Sequence, residues 1–141
     1  MRPRDAVARQ PAHVLVVEPG ARDSELFAHL SATLGTDVHI LAAPSGRDAV
    51  ALAATCTELG VAVILAEASD RACLELIAEL RALHPEVGIV LVSATLTGEC
   101  VRTAVHAEVD ELVAAPAEPA EIGEVVRELL VCRDLHWSPI R

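Results

Sequence analysis

Residues 88–126 read GIVLVSATLTGECVRTAVHAEVDELVAAPAEPAEIGEVV. Gly88-Ile89-Val90-Leu91-Val92 is a continuous apolar run of strand length, followed by Ser93-Ala94-Thr95. Thr97 can cap a helix whose inward positions are Val101, Ala104 and Val105. Leu112-Val113-Ala114 is a shorter strand. Pro119, with Glu121 after it, opens a last helix in which Ile122, Val125, Val126, Leu129 and Leu130 recur at i, i+3, i+4, i+7 and i+8. Strands apolar on both faces, joined by helical crossovers, mean a parallel sheet covered on both sides.

The same alternation extends toward the N-terminus. His13-Val14-Leu15-Val16-Val17 is a strand bounded by Pro11 and by Pro19-Gly20. Asp23 and Ser24 can cap a helix with Phe27, Leu30 and Leu34 as its apolar positions and Gly35 as its stop. Val38 to Ala42 is a second strand. Ser45-x-x-Asp48 has the form of a capping box and starts an Ala-rich helix running to about Leu59, closed by Gly60. Val61 to Ala66 is a third, continuous apolar strand. Leu76, Ile77, Leu80 and Leu83 make a helical stripe that stops before Pro85. Five strands thus alternate with five helices in one domain, residues 12–133. Residues 1–11 and 134–141 fall outside the pattern as loose tails.

The 141 residues suit one compact domain, and a 52% hydrophobic fraction supplies its core. The formal net charge is −10, from 11 Lys and Arg against 21 Asp and Glu. The first twelve residues carry Arg2, Arg4 and Arg9 against Asp5, so the rest of the chain is more acidic still. An acidic body argues against a nucleic-acid groove, and Phe27 and Trp137 are too few aromatics for a base-stacking platform. No stretch approaches a membrane span, and the N-terminus lacks the apolar core of a secretory signal. Cys56, Cys73, Cys100 and Cys132 form no CxxC pair and read as reduced cytosolic thiols serving as small hydrophobes. The six His show no ligand spacing. The turn Glu18-Pro19-Gly20-Ala21 has neither GxGxxG nor a P-loop, which weighs against a flavodoxin-like cofactor-binding protein, the remote alternative on this sheet type.

In such sheets ligands sit at the carboxyl ends of the strands. The residues there are Glu18-Pro19-Gly20, Ala66 with Glu67-Ala68-Ser69-Asp70, Ser93-Ala94-Thr95 and Ala115-Pro116. With these strand ends, Leu-Arg-Ala-Leu-His-Pro at 80–85 and HAEVDELVAAPAEPAEI at 106–122, the chain resembles the receiver domain of bacterial two-component response regulators over residues 12–133. The resemblance implies a doubly wound, flavodoxin-like five-stranded parallel sheet of order 2-1-3-4-5 with helices on both faces. It also implies phosphoryl transfer from a histidine kinase to an Asp at the third strand's end, assisted by a divalent cation and a Lys.

The positions that would carry this chemistry depart from the family's pattern. Glu18 matches the first of two cation-holding acids, but Pro19 stands at the second and has no side-chain oxygen. The acceptor position falls on Ala66 or Glu67: Ala cannot take a phosphoryl group, and Glu is one methylene too long. Ser93 matches the switch hydroxyl. Ala115 replaces the Lys, leaving no charge to offset a new phosphate. Leu112 stands in place of the family's mobile aromatic. The expectation is an atypical receiver: not an enzyme, without cofactor or Mg²⁺, cytoplasmic, and working through a protein partner or a second copy. The alternative keeps residual acceptor chemistry on Glu67 or Asp70 with a cation on Glu18, or uses Glu67 as a fixed imitation of the charged state. Family dimers and partners use the face of the fourth helix, fifth strand and fifth helix, here carrying Arg102, Asp110, Glu111, Arg127 and Glu128. Only eight residues follow Arg133, so no DNA-binding output domain is expected in this chain.

Overall fold

The computed structural model describes residues 12–34, 38–66 and 71–134. Their elements are β1 (Ala12–Val17), a 3₁₀ turn (Ala21–Asp23), α1 (Glu25–Leu34), β2 (Val38–Ala43), α2 (Gly46–Thr55), β3 (Leu59–Leu65), α3 (Arg71–Leu83), β4 (Gly88–Ser93), α4 (Gly98–His106), β5 (Glu111–Ala114) and α5 (Pro119–Asp134). The five strands form one sheet in the order β2-β1-β3-β4-β5, and every pairing is parallel. The 2-1-3-4-5 doubly wound arrangement that the resemblance implies is the observed one. The two tails lie outside the described residues, apart from Asp134, which closes α5.

Alternation along the strands splits the core in two. Leu15 and Val17 of β1 pack with Ala62, Ile64, Ile89 and Leu91 under α2, α3 and α4. Val14 and Val16 pack with Val61, Val63, Val90 and Val92 under α1 and α5. Residues such as Leu15, Ile64 and Leu91 are fully buried, each contributing about 1.5–3 kcal/mol by leaving water. At the start of β4 the backbone passes close to α5: a Cβ on Gly88 would stand 3.3 Å from Cδ1 of Leu129.

The caps follow the sequence. Ser24 Oγ accepts from Phe27 N at 3.0 Å, Ser45 Oγ accepts from Asp48 N at 3.2 Å, and Thr97 Oγ1 accepts from Cys100 N at 3.2 Å. Three expectations are corrected. The second helix ends at Thr55, with Cys56 as its C-cap, and Leu59 and Gly60 already belong to β3. Alanine favours a helix, but pairing of His13 with Leu59 places this segment in the sheet. In α1 the buried position is Leu26, with Leu30 and Leu34, and Phe27 is only half-buried. In α4 the inward residues are Cys100 and Ala104, whereas Val101 and Val105 are 39% and 67% exposed.

Candidate functional site at the carboxyl edge of the sheet

The ends of β1, β3, β4 and β5 meet at one edge of the sheet, and among the described residues they bring together few functional groups. Beyond β1, Glu18 N donates to Ala43 O at 3.0 Å, and Ala21 N donates to Glu18 O at 3.0 Å. The turn between them needs Gly20, whose φ of 67° is left-handed. Glu18 is half-buried, and its Oε1 is shielded from water without a hydrogen-bond partner among the described residues. Pro19 is exposed beside it and offers no donor or carboxylate.

At the third strand, Leu65 pairs with Val92, and Ala66 N donates to Val92 O at 3.1 Å. Ala66 therefore continues the ladder opposite Ser93. Its methyl is the side chain presented there, half-buried. Glu67 and Asp70 lie outside the described residues. Ser93 is buried, donates from Oγ to Thr95 O at 3.1 Å and accepts from Thr95 N at 3.3 Å. The hydroxyl thus closes a local turn that leads toward α4. Ala115 N donates to Ser93 O at 2.9 Å, fixing the β5 end against β4, and the Ala115–Pro116 peptide is cis.

A divalent cation of the hard, oxygen-seeking kind takes six or more oxygens, several of them carboxylate. The described strand ends supply one carboxylate, that of Glu18, and alkyl groups at Pro19, Ala66 and Ala115. Among the described residues no three His, Cys, Asp or Glu side chains gather into a metal-holding group. The donors among the described residues do not by themselves make up the set that such a cation takes.

The residues proposed for an interface lie around α4, β5 and α5. Arg102, Glu111, Arg127 and Glu128 are exposed. Arg127 is drawn to Glu124 at 2.9 Å on its own helix. Asp110 is committed inside the chain: its Oδ2 accepts from Ile89 N at 2.7 Å and stands 3.4 Å from Arg81 Nη2. Sequence reasoning missed Arg81, because its acceptors are 26 to 29 residues away and no local pattern marks them. Elsewhere, burial pushes the Cys56 thiol up from its ordinary value.

Comparison with solved structures places this geometry. A CheY-like response regulator receiver domain protein from Methanospirillum hungatei superposes with a TM-score of 0.71 at 17% identity, covering 91% of this chain and 100% of that one. A response regulator from Thermotoga maritima gives 0.69 at 16% identity, covering 86% and 99%. A protein described as pilus assembly-related, from Burkholderia pseudomallei, gives 0.64 at 21% identity, covering 86% and 90%. The chain has the fold of CheY-like response regulator receiver domains. No protein-family model matches the sequence, and no curated protein sequence is similar to it.

Proposed function

We propose that this chain is an atypical receiver domain, a signal-transduction module that acts by binding protein without aspartyl phosphorylation. The observation that supports the reading is Ala66, which continues β3 opposite Ser93 and which we take, rather than Glu67, as the acceptor position. An alanine there has no nucleophilic oxygen. Pro19 removes one of the two cation-holding acids and Ala115 the charge that would offset a phosphate, while Glu18 and Ser93 remain. The domain is not an enzyme, needs no Mg²⁺ and works in the cytoplasm.

Its output surface is the α4–β5–α5 face, and its occupant is a second copy of the chain. Val101 and Val105 support this. At 100° per residue they lie on the flank of α4 opposite Thr103 and His106, which face α3, and so point to the open β5 side. β5 is an edge strand. Exposed Arg102 and Arg127, with Glu111 and Glu128, supply both signs of charge for a two-fold contact. Addition of Mg²⁺ to labelled protein, followed by amide chemical shifts, tests the cation part. The shifts of Glu18, Ser93 and Ala115 are expected to stay fixed; a saturable change at those three refutes it.

A further inference from the structure

The α4 helix is attached weakly along its length and firmly at one end. Its buried side chains are the small Cys100 and Ala104. A groove of about 360 Å³ separates it from α3, lined by Leu74, Ile77, Ala78, Thr103 and His106. At the end of this groove Arg81 of α3 reaches across. Its Nη1 donates to Ala107 O at 2.9 Å, and its Nη2 donates to Glu108 O and lies 3.4 Å from Asp110 Oδ2. Asp110 in turn holds Ile89 N of β4.

The clasped loop is also the strained one. Glu108 has a φ of 59°, the left-handed conformation usually left to glycine after a helix. Glu108 N donates to Val105 O at 3.0 Å and Val109 N to Ala104 O at 3.1 Å, the two bonds that reverse the chain after α4. A side-chain-bearing residue persists in that conformation only where its surroundings hold it, and Arg81 grips the carbonyl of that residue.

We propose that Arg81 is a clasp that sets the position of α4: closed, it fixes the α4–β5 loop on α3 and β4; opened, it releases α4 as a local unit while the sheet stays folded. The planar guanidinium suits this role because it spans three acceptors at once, which a lysine ammonium cannot do in the same geometry. The clasp rests on these contacts alone and stands whether or not the chain dimerises or takes phosphate.

Native-state amide hydrogen exchange on the full chain tests it. In Arg81→Met, which keeps the apolar stem, α4 amides from Arg102 to Ala107 are expected to exchange at least ~10-fold faster, while Val14–Val16 and Val61–Val63 keep their rates. Arg81→Lys recovers part of the protection. Glu108→Gly relieves the strained residue and shrinks the effect of Arg81→Met when the two are combined. Equal acceleration in α4 and the central strands, or unchanged α4 rates in Arg81→Met, overturns the clasp. If Arg81→Met fails to fold, Asp110→Asn carries the test: it keeps an acceptor for Ile89 but weakens the ion pair, so selective acceleration in α4 supports the clasp and unchanged rates refute it.

Discussion

Replacing Val101 and Val105 together by serine removes the apolar part of the proposed face. Valine and serine have similar helix propensities, but the valines are only 39% and 67% exposed, so the area they already bury is expected to cost the monomer up to about 2 kcal/mol. Association should weaken as well. Full burial of a valine is worth roughly 2 kcal/mol. Scaled by exposures of 67% for Val105 and 39% for Val101, the pair contributes about 2 kcal/mol per copy, or ~4 kcal/mol per symmetric dimer. That corresponds to about a thousandfold weaker association. Sedimentation equilibrium at several salt concentrations measures it, with a thermal melt as control. The expected result is a self-associating parent chain, weakened by salt at its charged rim, and a monomeric double variant. A parent chain that stays monomeric at high concentration, or a dissociation constant moved less than tenfold, refutes the assignment of this face.

Three other outcomes follow from single groups. Glu18→Met removes the shielded Oε1, which has no partner among the described residues, and is expected to raise stability by about 1 kcal/mol, since such an acceptor costs free energy; a clear loss in a urea melt would mean that the oxygen has a partner. Ser45→Ala takes away the cap of α2 and should cost about 1 kcal/mol in the same melt. Thiol alkylation should reach exposed Cys132 before half-buried Cys56, with buried Cys73 and Cys100 last. Because burial raises the Cys56 pKa, its rate should climb only in alkaline solution, as the thiolate forms; a rapid reaction of Cys56 at neutral pH contradicts this.

The fold was legible because its signals are local and repeated. Buried strands such as Val14–Val17 and Ile89–Val92 are apolar throughout, and capping residues Ser24, Ser45 and Thr97 each precede their helix by one position. The misreadings occur where tertiary pairing decides. Leu59 and Gly60 continue an Ala-rich segment by composition, yet β1 takes them into the sheet. In α4, valines at helical spacing suggested the inward face, but the helix turns its smaller Cys100 and Ala104 inward. At the site, the same short range limits what can be read. That Pro19 and Ala115 lack functional groups is plain from their identity, whereas Arg81 and Asp110 become significant only when α3, β4 and the α4–β5 loop converge.

The loss of acceptor chemistry is tested most directly by intact-protein mass spectrometry after incubation with acetyl phosphate and Mg²⁺. The mass of the parent chain is expected to stay unchanged. A gain of one phosphoryl group, reversed by hydroxylamine as an acyl phosphate would be, contradicts it and returns the function to Glu67 or Asp70.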